Sequence, residues 1–227
     1  MKPRSHPIHA TTASRRRAFS LIELLVVIAI IAVLAALIFP VMGIVRRSGE
    51  RTAGLSNMRQ LGAAFVVYAS EHDMKLPSPA KRRGDRWPKL LAHYLKDVKV
   101  FAAPGTQDDF IARNSDPLSN SSNNTSFLMN GFNDLGGFDN KGAEVPLVRV
   151  ESPVNTLLLG MQKRGSRHFY MDYLEPPHGN QKDLLDLKAY GDGSNYAFVD
   201  GSARFIAEKD YRDEMWLADK TAVIPSL

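Results

Sequence analysis

Residues 15–40 read RRRAFSLIELLVVIAIIAVLAALIFP, and this stretch decides how the chain is organised. Three arginines precede an apolar run in which Glu23 is the one charged residue, and no charged side chain occurs over residues 24–45. About 20 helical residues, at 1.5 Å each, span the roughly 30 Å hydrocarbon core of a bilayer. The stretch therefore predicts a membrane-inserting helix over residues 19–45.

The basic character of the chain is concentrated before this helix. The 227 residues carry a net charge of +5, and five of the 29 lysines and arginines lie in residues 1–18, which contain no acid. Without this segment, 24 basic residues balance the 24 acidic residues. Residues 1–18 therefore predict a cytoplasmic leader peptide. Arg46, Arg47 and Arg51, on the far side of the helix, weaken this charge asymmetry without reversing it.

Three interpretations of the helix compete. A cleaved secretory signal has an apolar region of about 7–15 residues followed by a small-residue cleavage site, whereas this run is longer and ends in Phe39-Pro40-Val41-Met42. A twin-arginine signal partly matches residues 16–20, but the long Leu/Ile/Val run does not fit it. A plain membrane anchor explains the length but leaves Glu23 unexplained.

Glu23 distinguishes these interpretations. An ionised carboxylate inside a membrane helix is costly unless it is paired, so such residues are usually functional. If the chain is cut between Ala18 and Phe19, the new α-ammonium of Phe19 lies one helical turn from Glu23 or reaches the Glu23 of a neighbouring copy. A buried ion pair of this kind can fix the register between identical helices.

The residues from Ala18 to Glu23 resemble the cleavage and methylation motif of type IV prepilins, which pilins share with the pseudopilins of type II secretion. The resemblance implies that prepilin peptidase cuts before Phe19 and N-methylates it, and that Glu23 acts in filament assembly. Many pilins also have a proline at the position of Pro40. Family members more often have glycine before the cut, where this chain has Ala18, which implies slower processing.

The resemblance also implies a fold and a role. It implies an α+β, pilin-like fold, in which a long N-terminal helix packs on a small antiparallel β-sheet, and a structural subunit rather than an enzyme. The expected domains are the leader 1–18, the helix 19–75 and a periplasmic part over residues 76–227, which we call the head. A single-pass inner-membrane protein of this kind is extracted into a helical filament. Its expected partners are other copies, prepilin peptidase, an inner-membrane assembly platform and membrane lipid.

The helix is predicted to continue beyond Pro40, because membrane helices tolerate proline. An amphipathic stripe then recurs at spacings of three or four residues and comprises Leu55, Met58, Leu61, Phe65 and Tyr68. The prolines in residues 76–79 place the end of the helix near Lys75. We expect the stripe to pack on the sheet of the head.

The head is predicted to contain a short amphipathic helix over residues 87–96 and strands at residues 126–130, 155–159 and 168–171. Its clearest local signal is Asp200-Gly201 between two runs of alternating apolar residues, which indicates a β-hairpin with a two-residue type I′ turn.

Such a turn pairs Phe198 with Ala203 and Tyr196 with Phe205. These four side chains are therefore predicted to share one core face. The hairpin is expected to pack through this face on the amphipathic stripe of the helix.

The head also resembles, more loosely, a prepilin-like group found in bacteria such as planctomycetes and verrucomicrobia. The similar segments are residues 57–62, 90–94, 129–130 and 197–201. That group has a histidine ten residues before the Asp-Gly pair, where this chain has Tyr190. A role of that histidine is therefore not carried over to this chain.

The remaining motifs predict neither catalysis nor a bound group. The sequence has no cysteine, P-loop, G-x-S-x-G or H-E-x-x-H pattern, and the four histidines beyond the leader lack metal-ligand spacing. The Asp/Asn-rich residues 130–140 and 192–200 offer oxygen ligands of the kind that calcium prefers. Turn formation explains them more simply. We expect no catalytic residue and no cofactor, with calcium as the alternative.

Two other functional hypotheses stay open. In one, the chain is a membrane-tethered periplasmic module that binds a ligand without polymerising. In the other, it is a DNA-binding minor pilin, which needs a basic patch on the head. Residues 81–86, KRRGDR, are the candidate for such a patch. The balanced charge of the chain beyond its leader argues against nucleic acid as a partner.

Overall fold

The computed structural model describes residues 20–79, 86–105, 125–135, 144–163, 166, 168, 170–171 and 184–219. The chain divides into two units, with the boundary between Ile44 and Val45. The helices are α1 (Leu21–Glu71) and α2 (Trp87–Ala92). The strands are β1 (Lys75–Leu76), β2 (Phe127–Asn130), β3 (Val145–Pro146), β4 (Leu157–Met161), β5 (Tyr170–Met171), β6 (Gly193–Phe198) and β7 (Ala203–Ala207).

α1 continues through Pro40, as predicted, but it ends at Glu71 rather than near Lys75. Two residues with left-handed backbone follow, Asp73 with φ of 52° and Met74 with φ of 56°. The backbone N–H of Met74 donates back into the last turn of α1 at a distance of 2.9 Å. Glycine usually makes this kind of helix termination. Residues 72–75 contain no glycine, so the conformational preferences of the residues do not indicate that the helix ends here.

Five strands form the main sheet of the head in the order β5-β2-β4-β6-β7. Three pairings are antiparallel and the β2–β5 pairing is parallel, so the sheet is mixed where a wholly antiparallel one was expected. β2, β4 and β5 lie at the three strands predicted from the sequence, and α2 forms the first part of the helix predicted over residues 87–96. β1 and β3 pair separately, and these strands of two residues were not predicted.

The predicted hairpin forms as β6 and β7, but its register differs by one residue. Ala197 pairs with Ala203, where the sequence analysis paired Phe198 with Ala203. The N–H of Gly201 donates to the Phe198 carbonyl at 3.0 Å, and the N–H of Phe198 donates to the Ser202 carbonyl at 2.8 Å. The loop therefore has three residues, with positive φ at Gly201 alone. This is a type I turn with a G1 bulge rather than the predicted type I′ turn.

A shift of one residue places the side chains of one strand on the opposite face of the sheet relative to the other strand. Tyr196 and Phe198 belong to one core, whereas Ala203 and Phe205 belong to the other. The predicted common face of these four side chains is therefore wrong.

Both faces of the main sheet are covered. The core toward α1 includes the predicted stripe, in which Leu55 is half-buried and the other members are buried. Its large buried side chains include Met58, Leu61, Phe65, Trp87, Leu91, Phe101, Phe127 and Met129. The core on the other face contains Leu128, Leu157, Met171, Leu185, Tyr196, Phe198, Tyr211 and Trp216. The stripe thus packs on the head as expected, and a second layer from the C-terminal part closes the sheet.

The hairpin also packs on α1, as predicted, through a backbone contact at its loop. A Cβ placed on Gly62 would lie 2.6 Å from the carbonyl oxygen of Gly201. A Cβ placed on Gly201 would in turn lie 3.0 Å from the Val66 side chain. The absence of a side chain at Gly62 therefore lets the helix touch the turn directly.

Candidate functional site

The residues of the predicted cleavage site, Ala18 and Phe19, lie outside the described residues, as does the leader 1–18. The description begins at Ser20, directly after them. The third predicted site residue, Glu23, lies in the first turn of α1.

Glu23 caps the helix. Its Oε2 accepts a hydrogen bond from the backbone N–H of Ser20 at 2.9 Å, and the Ser20 carbonyl accepts from the N–H of Leu24 at 3.2 Å. A carboxylate at this position also favours the positive end of the helix dipole. The S-x-x-E pattern of residues 20–23 is the sequence signature of a capping box. This signal gives Glu23 a local role, as a helix cap, besides the predicted role in assembly.

The helix after Glu23 meets the requirements for crossing a membrane. Among the described residues, α1 is the one helix that is long and apolar enough to do so. Its side chains over residues 21–44 are exposed, apart from Ala35, which is half-buried. Exposed fractions reach 81% at Leu21 and 76% at Phe39. Side chains of this kind are stable in lipid or against other apolar helices rather than in water.

Three arginines follow the apolar run within two turns. Nε of Arg46 forms an ion pair with Oε1 of Glu50 at 2.8 Å. Arg47 lies beside the loop at Gly191, where a Cβ would be 3.1 Å from Nη1 of Arg47. The guanidinium of Arg51 lies over the Phe205 ring, 4.7 Å from its centroid. Arg47 and Arg51 are thus in contact with the head.

Tyr190, at the histidine position of the loosely similar group, is buried against α1. A Cβ on Gly54 would collide with its hydroxyl, and the Asn195 side chain lies beside the same glycine. Nδ2 of Asn195 donates to the backbone carbonyl of Arg51 at 2.9 Å. Burial, with a contribution from the charge of Glu50, raises the pKa of Tyr190 to about 12. These contacts make Tyr190 a packing residue that fixes α1 on the hairpin.

His72, directly after α1, and the described histidines of the head, His93 and His168, each contact different residues. His72 stacks on Tyr68 with ring centroids 3.8 Å apart, and His93 packs edge-on against Tyr94. The backbone carbonyl of the exposed His168 accepts from Gln162, while His178 lies outside the described residues.

The segments considered for calcium differ from the expectation in one respect. Residues 193–198 form strand β6 rather than a loop, and residues 136–140 lie outside the described part of the chain. Within the residues that the structure describes, no group of three or more His, Cys, Asp or Glu side chains is placed to hold a metal ion. The expectation of no cofactor stays a prediction.

A groove of about 570 Å³ lies beside the edge strand β7. Its lining includes apolar and charged side chains, among them Phe198, Ile206, Arg212, Glu214 and Met215. Arg204 also lines it, with its guanidinium 3.7 Å from the centroid of the Phe198 ring. The hypothesis of a ligand-binding module would place its ligand here.

The basic patch considered for DNA is described only at its last residue. Residues 81–85 lie outside the described residues, and Arg86 is half-buried. Burial lowers the pKa of the Arg86 guanidinium. The described part of this segment is therefore a packed side chain rather than an exposed phosphate contact.

Comparison with known families finds a match in the N-terminal segment. The model of the prokaryotic N-terminal methylation motif matches residues 13–39. This range includes Ala18, Phe19 and Glu23 and continues into the apolar part of α1. Comparison with curated proteins and with solved structures gives no match. The predicted resemblance to prepilins is thus confirmed in the segment that carries its motif.

Proposed function

We propose that the chain is a structural subunit of a type IV pilus-like or type II secretion filament. Prepilin peptidase cuts it between Ala18 and Phe19 and N-methylates Phe19, and α1 holds it as a single-pass protein of the inner membrane with the head in the periplasm. The observation that carries this proposal is the methylation motif at residues 13–39, which runs into an exposed apolar helix.

The geometry at Glu23 supports a role for the new N-terminus. Cleavage creates an α-ammonium on Phe19, the neighbour of Ser20, whose N–H already donates to Glu23 at 2.9 Å. Consecutive Cα atoms are about 3.8 Å apart, so the ammonium forms within reach of this carboxylate. Within one copy the two groups form an ion pair. In the filament, Glu23 pairs with the Phe19 ammonium of a neighbour, where the low dielectric strengthens their attraction.

The apolar side chains of α1 supply the assembly interface. They are exposed over residues 21–44, apart from Ala35, and gain by burial between copies once the subunit leaves the membrane. Identical subunits joined through two different surfaces form an open helix when the rotation between neighbours does not close into a ring. The heads then coat the outside, and an inner-membrane assembly platform extracts each subunit.

Intact-mass measurement of the membrane-extracted protein tests the processing step. Cells that contain prepilin peptidase should yield a chain that lacks residues 1–18 and carries one added methyl group. Cells without the peptidase should yield the full-length chain. A leader retained in the presence of the peptidase contradicts the proposal and favours the tethered binding module.

Two substitutions of Glu23 test the assembly step. Glu23→Gln keeps an acceptor for the Ser20 N–H and so preserves the cap, but it removes the charge. Glu23→Ala removes both. We expect both variants to insert into the membrane and neither to form filaments, as judged by electron microscopy of sheared fractions. Wild-type filaments from Glu23→Gln would show that the carboxylate acts as a cap and not as a charged partner.

A further inference from the structure

Arg46, Arg47 and Arg51 have no role in the proposed processing or assembly. They stand on the side of the membrane opposite to the leader, where they work against the charge asymmetry that orients the helix. Arg46 is engaged by Glu50, so the other two require a separate explanation.

Arg47 and Arg51 are four residues apart on α1 and therefore lie on the same face of the helix. Among the described residues, neither has a carboxylate within ion-pair distance. Arg47 is exposed beside Gly191, and Arg51 is half-buried over Phe205. Both guanidinium groups thus lie against the head without a carboxylate partner in the part of the chain that the structure describes.

The backbone of Arg47 falls within the headgroup layer of a bilayer and that of Arg51 falls just above it. If the apolar run leaves the hydrocarbon at Val45, the helical rise places Arg47 about 3 Å and Arg51 about 9 Å above that boundary. The headgroup region of one leaflet is roughly 5–8 Å thick. Arginine side chains extend several ångströms along the helix and reach toward this region.

We infer that Arg47 and Arg51 bind the phosphate groups of anionic phospholipids at the surface where α1 leaves the membrane. This inference depends on the membrane insertion proposed above. The planar guanidinium group suits phosphate oxygens, to which it donates two hydrogen bonds. Because both arginines follow closely after the apolar run of α1, a lipid surface is a better match for them than a dissolved anion. The contact keeps the head at the bilayer until the subunit is extracted.

Lipid binding to the full chain in detergent, followed by native mass spectrometry, tests the inference. Phosphatidylglycerol and phosphatidylcholine are titrated separately into the parent chain, the double variant Arg47→Gln/Arg51→Gln and the control Arg59→Gln. Arg59 is an exposed arginine of the same helix, eight residues beyond Arg51. Each arginine near an anionic surface strengthens binding about fivefold. The double variant should therefore bind phosphatidylglycerol roughly 25-fold more weakly, while the control matches the parent.

A second double variant separates charge from packing. Arg47→Lys/Arg51→Lys keeps both charges and should retain most of the preference for phosphatidylglycerol. The inference is overturned if the lysine pair behaves like the glutamine pair, if Arg59→Gln causes an equal loss, or if the parent binds both lipids equally. Displacement of phosphatidylglycerol by millimolar inorganic phosphate would overturn the lipid assignment in favour of a simple anion site.

Flotation of the parent chain with phosphatidylcholine vesicles distinguishes the failure of this inference from that of the proposed function. A chain that does not float contradicts membrane insertion and, with it, both proposals. A chain that floats but shows no preference for phosphatidylglycerol overturns the lipid contact alone.

Discussion

A single buried amide, that of Asn130, joins three segments of the head. Its Nδ2 donates to the carbonyls of Leu157 at 2.7 Å and Trp216 at 2.8 Å, and its Oδ1 accepts from the N–H of Phe132 at 2.8 Å. Phe132 has φ of 49°, so this last bond also supports a backbone conformation that phenylalanine rarely adopts. Asn130 is thus needed for the join between β2, β4 and the C-terminal layer.

We predict that Asn130→Leu destabilises the protein by about 3 kcal/mol or more, because each buried polar group left unpaired costs about 1–3 kcal/mol. Urea unfolding of the full chain in detergent, followed by tryptophan fluorescence, measures the effect. Asn155→Ala is the control, since Asn155 is exposed and, among the described residues, its side chain bonds only to the nearby Ser152 side chain. It should change the stability by less than about 0.5 kcal/mol. Equal effects would refute the role given to Asn130.

Asp134 makes the stability of the head depend on pH. Its Oδ2 accepts from the N–H groups of Ala218 at 2.5 Å and Asp219 at 2.6 Å. Burial raises the pKa of this carboxyl, although the two backbone bonds partly oppose the shift. The folded state therefore holds the proton more tightly than the unfolded state. The resulting stabilisation is present at acid pH and is lost as the pH rises through the folded-state pKa.

We predict that Asp134→Asn, which keeps an acceptor for both N–H groups, gains stability relative to the parent as the pH rises from about 4 to 7. Unfolding midpoints of both chains across this range measure the difference. Asp134→Ala removes the acceptor and should be less stable than Asp134→Asn at every pH. A parent and an asparagine variant that keep a constant difference would contradict the assignment.

Glu23, Asn130 and Asp134 show which roles of single residues can be predicted from sequence and which cannot. Glu23 was identified because the cations, the aromatic residue, the acid and the apolar run that define its motif are adjacent in the sequence. Asn130 and Asp134 act on partners more than 80 positions away, at Trp216 and Ala218. Local patterns carry no information about such contacts, so the sequence analysis had no basis for singling them out as buried anchors.

The residues that terminate α1 adopt a backbone conformation that their types disfavour. Asp73 and Met74 adopt positive φ without being glycine, and the Met74 side chain is 58% exposed. We predict that Met74→Gly stabilises the protein by roughly 0.5–1 kcal/mol, because glycine adopts this backbone without steric cost. Met74→Val should destabilise it, since a β-branched residue tolerates positive φ poorly. Thermal unfolding of both variants checks the sign, and a destabilised Met74→Gly would contradict the account.

The contact between α1 and the hairpin gives a matched pair of glycine substitutions. Gly62→Ala introduces a Cβ 2.6 Å from the Gly201 carbonyl oxygen, whereas a Cβ on Gly49 meets nothing within 4 Å. Alanine favours a helix over glycine by up to about 1 kcal/mol at either position. We predict that Gly49→Ala is stabilising and that Gly62→Ala is destabilising by about 1–3 kcal/mol through overpacking. Urea unfolding measures both, and stabilisation by Gly62→Ala would show that the helix and the turn are not in close contact.

The hairpin shows how much of an element can be predicted. Asp200-Gly201 correctly indicated a reversal between two strands, because glycine allows the positive φ that the reversal needs. Loops of two and three residues both satisfy that requirement. The choice between them depends on the packing of Tyr196 and Phe198 in the core away from α1. That core includes side chains from outside the hairpin, so the local sequence did not determine the register.

For the whole molecule, the α+β class followed from the resemblance to prepilins, and the packing of the stripe on the sheet followed from the periodicity of α1. The second layer did not, because residues 208–219 contain only short turns of 3-10 helix, without a repeating apolar pattern. Trp216 nevertheless fills this face, where a Cβ on Gly160 would lie 2.9 Å from its ring. The sheet is therefore buried on both sides, and its strands do not show the polar alternation of a half-exposed sheet.

Processing should also change the charge of the entire chain. Loss of residues 1–18 removes five cationic side chains and leaves 24 basic and 24 acidic residues. We predict that the chain from cells with prepilin peptidase focuses near neutral pH in denaturing isoelectric focusing. The chain from cells without the peptidase should focus at clearly basic pH. Identical positions for the two samples would contradict removal of the leader.

The placement of the outer layer sets the order of events during synthesis. Asn130 and Asp134 bind Trp216 and Ala218, which leave the ribosome more than 80 residues later. Until then, one face of the sheet lacks its cover, and the head cannot complete its fold. Helix α1 precedes the head in the chain and needs none of these later residues to form its apolar segment. If the chain inserts as proposed, its apolar segment can therefore engage the lipid while the head is still an open chain.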